Sequence, residues 1–334
     1  MHITIKDIAK KSKTSVATVS RVINNSPKVA PHTRSRVLKI LKKFEYKPNQ
    51  IAKGLVKGKS KTISLITPAS EKFFNAFYFR EIFLGINRAA ENAGYNILIA
   101  PSGADRNVSM IERFPVEGCI LVSPETDDPI VKKIEKDNLP AVFINARSKK
   151  CSWVDLDNKS SAYAIVRDLI SMGHKKIAVV KGKDNVQNSA DRLEGYFEAL
   201  RDHNCVIKKE HIIEGGFYER EAYIGVKKNF SKLKEVSAIF ALNDNMAVGA
   251  ISALKEKGIN VPRDISVAGF DDIELASYFN PPITTVKQPL YMMGYVGLKT
   301  LIKQLKGEIK SKVEREFRGE IIHRKSTAPL RKET

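Results

Sequence analysis

Cysteine is scarce: Cys119, Cys151 and Cys205 are the three among 334 residues. An odd number at wide spacing gives no disulfide framework, no metal pattern and no redox pair, so a reducing compartment is expected. Cys119 sits in an apolar run and is expected to be inert core. No apolar stretch approaches the roughly 20 residues that span a bilayer, and no secretory leader is recognisable. A cytoplasmic protein with no membrane partner is therefore expected. Gly182 follows an apolar run but opens no GxGxxG, which leaves a dinucleotide site unsupported. His174 reads as structural, His203 and His211 lack ligand spacing, and no Ser/His/Asp or Cys/His set stands in a nucleophile elbow or catalytic loop. The sequence assigns no cofactor, no metal and no catalytic residue, and an enzyme is not expected.

Acidic residues are nearly missing from the first 61 positions. Asp7 and Glu45 stand against sixteen Lys/Arg there, so +14 of the chain's net +20 falls in its first fifth. Such asymmetry is the electrostatic footprint of a nucleic-acid-binding head on a near-neutral body, and counterion release makes its affinity strong and salt-sensitive. Within this head, Ile5, Ile8 and Ala9 recur at helical spacing, with Thr4 as N-cap and Asp7 three residues on. A turn at 12–14 precedes a second helix capped by Ser15. Val19, Val22 and Ile23 form its inner stripe, which leaves Val16, Ala17, Ser20 and Arg21 outward. Pro31 opens a third helix whose Val37, Leu38, Leu41 and Phe44 are expected to supply the core.

The pattern is a helix–turn–helix, and its second helix suits a DNA major groove. Arg21 can pair bidentately with guanine or clamp a phosphate, and Val16 and Ala17 can meet thymine methyls. Thr4, Ser15, Thr18, Ser20, Asn24 and Asn25 suit backbone contacts that position without specifying. Residues 48–56 form a short amphipathic run opened by Pro48, with Ile51, Ala52 and Leu55 on one face. Nine residues are too few for an independent helix, and Gly54 costs about 1 kcal/mol relative to Ala.

The stretch SVATVSRVIN (15–24) resembles the head of the LacI/GalR family of bacterial transcription regulators. The resemblance implies that Val16, Ala17 and Arg21 select bases. It also implies that residues 47–61 hold a hinge helix and linker, with Asn49, Ala52 and Leu55 in the minor groove and Leu55 wedged into a base step. Two departures stand out: Lys13-Thr14 replaces the usual Gly-Val of the turn, and Glu45 replaces a Gly before Tyr46. Lys13 is expected to take a left-handed conformation that glycine would hold more easily.

Beyond Lys61, short apolar runs alternate with helical segments. TISLIT (62–67), YNILIA (95–100), CILVS (119–123) and AVFIN (141–145) read as buried strands, followed by KIAVVK (176–181), HIIEG (211–215), SAIFAL (237–242) and ISVAGF (265–270). The fold class is an N-terminal all-α helix–turn–helix head plus an α/β body of two doubly wound lobes, similar to the periplasmic sugar-binding proteins. The expected domains are a head at 1–46, the hinge at 47–61, a near lobe at 62–158 with about 289–318, and a far lobe at 159–288 with about 319–330.

Ligands in such sheets bind beyond the carboxyl ends of the strands. The resemblance implies Arg192, in RLxG, as an effector-binding arginine, although a surface ion pair would also satisfy it. It likewise implies Asp271 of GFDD as a ligand carboxylate, with Asn243 beside it. Phe217 matches a stacking position, or simple packing, and Tyr78 and Phe79 are the aromatic pair placed nearest the effector. Amide, carboxylate and guanidinium suit sugar hydroxyls first and nucleobase edges second. The expected function is a homodimeric repressor on a pseudo-palindromic double-stranded DNA operator, controlled by a small molecule. The alternatives are a repressor without an effector, or a small-molecule sensor without specific DNA reading.

Overall fold

The computed structural model describes residues 3–46, 60–68, 73, 77–102 and 115–331. It forms two compact units, Met1–Lys61 and Thr62–Thr334.

The first unit is built from α1 (Ile5–Lys11), α2 (Val16–Ile23) and α3 (Pro31–Lys43). Thr4 and Asp7 close a reciprocal capping box on α1, which satisfies donors that no helical carbonyl can reach. Ser15 caps α2 by accepting from the Thr18 N–H at 3.1 Å. Between these helices Lys13 takes a left-handed φ of 50°, and Glu45 takes one of 45° before Tyr46. A lysine and a glutamate therefore occupy backbone positions that favour glycine. Ile8, Val19 and Val37 are fully buried, with Ile40, Leu41 and Phe44 packed around them. Leu38 is a correction to the expected core, because it is 49% exposed. One residue round α3 from Val37, it turns away from the stripe that Val37, Leu41 and Phe44 share.

In the second unit, β1 (Thr62–Thr67), β2 (Asn96–Pro101), β3 (Gly118–Val122), β4 (Ala141–Ile144) and β5 (Ser152–Leu156) join β11 (Glu314–Phe317) in one parallel sheet, ordered β11-β5-β4-β3-β1-β2. A second parallel sheet orders β6 (Ile177–Lys181), β7 (Ile212–Glu214), β8 (Ala238–Ala241) and β9 (Ser266–Ala268) as β7-β6-β8-β9. β10 (Thr285–Lys287) and β12 (Glu320–Ile322) pair antiparallel. Each sheet with its helices makes a lobe. The apolar runs become strands because both faces are covered: every residue of β3, β4 and β6 is buried, as parallel sheets require.

Helices α4 (Phe77–Ala93) and α11 (Leu290–Leu305) pack on the first sheet. Their crossing is close because Gly85 faces the carbonyl of Tyr291, where a Cβ would stand 2.0 Å from the oxygen, and Gly294 faces Ile82 in the same way. On the second sheet, α6 (Asn158–Ser171) lies beside α7 (Gln187–Asp202), with α9 (Asp244–Glu256) in the same core. The helices α5 (Pro129–Asp137), α8 (Glu219–Lys228) and α10 (Glu274–Tyr278) lie in the loops between strands. The chain passes between lobes after β5, after β10 and after β11, so each sheet is completed by distant sequence.

β5, β10, β11 and β12 lie outside the expected strands. SWVDL mixes polar with apolar residues, and EREF is exposed at three of four positions. β11 exists because its backbone pairs with β5, Glu314 opposite Trp153 through Phe317 opposite Leu156.

Candidate functional site

On the first unit, α2 separates two faces. Val19 and Val22 point inward, while Val16, Ala17 and Arg21 are exposed and Ser20 is half-buried. Val16 is 41% exposed, an apolar side chain at the start of a helix that would gain from contact. Arg21 has no hydrogen bond or ion pair with a described residue, whereas Arg34 is committed to the Asn25 side-chain oxygen at 2.8 Å and to the Ser26 carbonyl. Those bonds hold Asn25 in a left-handed turn, φ 52°. The Asn24 amide leans on the Ser20 hydroxyl at 3.4 Å. Thr4, Ser15 and Thr18 are already occupied in caps, and each keeps lone pairs for a further partner. Asn49, Ala52 and Leu55 lie outside the described residues.

In the second unit, a cleft of about 200 Å³ opens at the carboxyl ends of both sheets, lined by residues of both lobes. Tyr78, Arg192, Phe217, Asn243 and Asp271 all line it. Phe79 does not, which corrects its placement beside Tyr78. Successive helical residues point about 100° apart, so only one of the two can face the cleft. Phe79 is buried in the first lobe's core, stacked on Phe83 at 5.9 Å between ring centroids. Phe73 takes the second aromatic place in the lining.

Arg192 is the centre of the cleft. The side chain is 4% exposed; its Nε donates to Asn158 at 2.8 Å, and its Nη1 to the Leu242 carbonyl at 2.7 Å and to Asp271 at 3.2 Å. The guanidinium carbon lies over the Phe270 ring, 3.8 Å from its centroid. Its Nη2 is buried with no partner among the described residues, as is the side-chain oxygen of Asn188 in the same lining. A buried donor left unpaired costs roughly 1–3 kcal/mol, so the site has an unmet demand for a polar ligand atom. Asp271 also accepts from Gln288 at 2.6 Å. Burial pushes its carboxyl up to about 6, with Arg192 and Gln288 pulling the other way.

Asn243 caps α9 by accepting from the Met246 N–H at 2.8 Å, and its amide donates to the Phe217 carbonyl at 2.9 Å. This contact holds Phe217 at φ 81°. The ring has room because residue 182 is glycine: a Cβ there would stand 2.1 Å from the ring edge. Across the cleft, the Tyr78 hydroxyl bonds to Ser123 at 3.0 Å and accepts from the Asn145 amide. Burial raises the Tyr78 phenol, so it stays a neutral donor. Ser123, Asn145, Phe217 and Asp271 all hold left-handed or otherwise positive φ at strand ends, the kind of strain that gathers at ligand sites.

Glu125 and Lys183, from opposite lobes, pair at 2.9 Å in the same lining. Among the described residues of the lining, both cations thus have a carboxylate partner, and their formal charge is balanced. Sequence reasoning missed Ser123, Glu125, Lys183 and Asn188, which carry no motif and meet only in space. Asp244, beside Asn243, turns inward: it accepts from Thr285 at 2.6 Å and from the Ile273 N–H at 2.9 Å, and so fastens the 271–273 loop. Among the described residues, no group of His, Cys, Asp or Glu is arranged to hold a metal ion, and no helix is long and apolar enough to cross a membrane. Burial pushes the Cys119 thiol up to about 12.

A basic helix–turn–helix unit and a two-lobed α/β unit with a polar cleft define a DNA-binding regulator. Comparison with known proteins agrees. Residues 4–49 match the model for bacterial regulatory proteins of the lacI family, and residues 166–327 match a periplasmic-binding-protein-like domain. Catabolite control protein A of Priestia megaterium is 32% identical over 316 residues, which cover 92% of this chain and 94% of that protein. The HTH-type transcriptional regulator MalR of Clostridium butyricum is 37% identical over 309 residues, 89% of this chain and 91% of that one. The lac repressor dimer bound to operator and an anti-inducer matches with a TM-score of 0.85 at 25% identity, covering 98% of this chain and 100% of that one. A CelR–cellobiose complex matches at 0.76 and 28%, covering 97% and 99%. The chain belongs to the LacI family of bacterial transcription regulators.

Proposed function

We propose that the protein is a homodimeric repressor whose cleft binds a small, uncharged, hydroxyl-rich ligand, a sugar before a nucleobase, and whose grip on a pseudo-palindromic operator changes with that ligand. The observation that carries the ligand reading is Arg192 Nη2: among the described residues, a buried, unpartnered donor at the wall of a cleft whose other charges are paired. A hydroxyl group can accept from Arg192 and donate to Asp271 or Asn188, while Phe217, Tyr78 and Phe73 offer ring faces. An anionic ligand would have to break the Glu125–Lys183 or Asp271–Arg192 pair. In the head, Val16, Ala17 and Arg21 read bases, and Thr4, Ser15, Thr18, Ser20, Asn24 and Asn25 face the phosphates. Two heads on one duplex would meet half-sites about 34 Å apart. Relatives named for a repressor–operator complex and for a cellobiose complex support this reading.

The test selects bound sequences from a random DNA library with the full chain, then titrates the winning site with neutral sugars, sugar phosphates and nucleobases. A palindrome whose affinity responds to a neutral sugar is the expected result. A palindrome that responds to nothing, with no ligand-induced thermal shift, would leave a repressor without an effector.

A further inference from the structure

Behind the cleft, one arginine is shared between carboxylates that belong to different lobes. Arg147, in the loop after β4, donates from Nε to Asp155 of β5 at 3.0 Å and from Nη2 to Glu316 of β11 at 3.0 Å. Both partners stand on the first sheet. The same Nη2 is 3.9 Å from Asp191 of α7, in the second lobe, and one oxygen of Asp191 is buried without a hydrogen-bond partner among the described residues. The Arg147 N–H also donates to Gln187, at the start of α7, at 2.9 Å. The guanidinium thus has two carboxylates of its own sheet in hand, at 3.0 Å each, and a third, on the other lobe, at 3.9 Å.

The arginine is also connected to the ligand wall. Asp155, 1% exposed, accepts from the Asn158 amide at 3.2 Å, and the Asn158 oxygen accepts from Arg192 Nε at 2.8 Å. Asp191 and Arg192 are neighbours on α7, so a covalent step closes the loop. A ligand that draws on Arg192 pulls on both ends of the Arg147 cluster. A further carboxylate on the other lobe and a continuous polar path to Arg192 give this cluster a means of coupling the lobes, and the test of such coupling is that a change at one end shifts the other.

We propose that Arg147 is a positioning residue for the cleft, a two-position latch between the lobes whose partner Asp155 is linked through Asn158 to Arg192. The latch rests on the reading of Arg192 as a ligand-binding residue. With Glu316 the arginine stays on its own sheet; with Asp191 it ties that sheet to α7.

The chain's single tryptophan, Trp153, is a built-in reporter, because the Arg147 guanidinium lies 5.4 Å from its ring centroid. Burial pushes the Asp155 carboxyl up to about 6, with Arg147 and the Leu156 N–H drawing it down and Asp191 raising it. The charged groups facing this site are Arg147 from the β4 loop, Asp191 and Arg192 from α7, and Glu316 from β11. Tyr78 on α4, Asp157 and Lys159 at the start of α6, and Glu314 of β11, opposite Trp153 and held below its ordinary value first by Lys312, face it as well. In the full-length, ligand-free protein, Trp153 emission is therefore expected to titrate with a midpoint near pH 6. Arg192→Met, which touches neither Trp153 nor Arg147, should raise that midpoint by removing a nearby positive charge and the partner of Asn158, and Arg192→Lys, which restores the charge, should raise it by less. Asp191→Asn should lower it. Identical midpoints in wild type and both Arg192 variants, each with native far-ultraviolet dichroism, would overturn the link. The absence of any Trp153 transition between pH 4.5 and 7.5 would overturn it too, the pH limits being roughly those that bracket the Asp155 value. The proton is the only probe, so failure here leaves the sugar reading standing, and a failed sugar screen leaves this measurement intact.

Discussion

Lowering the pH from 7 to 5 should strengthen the two-lobed body, against the usual expectation that acid weakens a protein. Asp155 and Asp271 are each less than 9% exposed, and burial holds both near a pKa of about 6, against an ordinary 3.8. An acid whose folded pKa lies above its unfolded value binds its proton more tightly in the folded state. Its contribution is complete below about 4 and is lost as the pH rises through 6. Over the full window each group is worth about 3 kcal/mol, at 1.36 kcal/mol per unit, and between pH 7 and 5 about 1 kcal/mol of that is realised. The assay is urea unfolding followed by Trp153 emission, which reports on the body because the head has no tryptophan. Protonation of other groups and the repulsion of a +20 chain change stability as well, so the comparison is between wild type and Asp155→Asn or Asp271→Asn. Each variant should lose about 1 kcal/mol of the pH 7-to-5 change. If both variants keep the wild-type pH dependence, these carboxylates are not protonated near 6 and the electrostatic account of the cleft fails.

Arg21→Ala should reduce discrimination at one base pair of each half-site by about 1–3 kcal/mol, with little loss of affinity for random DNA; competition binding with single-base operator variants would show it. Ser15→Ala removes the acceptor for the Thr18 N–H and should cost the head about 1 kcal/mol, visible as a lower melting point in far-ultraviolet dichroism of the head transition. Gly85→Ala places a methyl 2.0 Å from a backbone oxygen of α11, and neither backbone can yield easily. A loss of about 1–3 kcal/mol in body stability is expected, and an unchanged urea midpoint would show that the helices separate freely.

The head was readable because its signals are local. Caps, a 3.6-residue apolar period and an acid-poor surface all lie within forty-odd residues, and the left-handed Lys13 followed from the glycine that the family resemblance puts at its place in the turn. The error at Leu38 came from a stripe wide enough to admit either of two neighbouring residues. Most body strands announced themselves as apolar runs, but β5, β10, β11 and β12 did not; EREF, for one, becomes a strand only by pairing with residues some 160 positions earlier. Motif positions such as Arg192 and Asp271 could be picked from the chain. Their supports could not: Asn158, Gln288 and Arg147 are ordinary polar residues whose roles arise from where the fold puts them. Tyr78 and Phe79 show the same limit at its smallest scale, since composition cannot say which of two adjacent aromatics a helix will turn toward the cleft.

The three passages between lobes bear on how the protein is made. The first sheet cannot be finished until β11, at Glu314–Phe317, has been synthesised, and the β10–β12 pair waits for Glu320–Ile322. The head, by contrast, makes its contacts within the first 46 residues. During translation, a basic DNA-reading unit would therefore form while more than two hundred residues of its control domain were still missing. Messages cut short, or chains clipped in the body, would leave heads that bind DNA and answer to nothing, and their cost to the cell is a reason for such fragments to be cleared quickly.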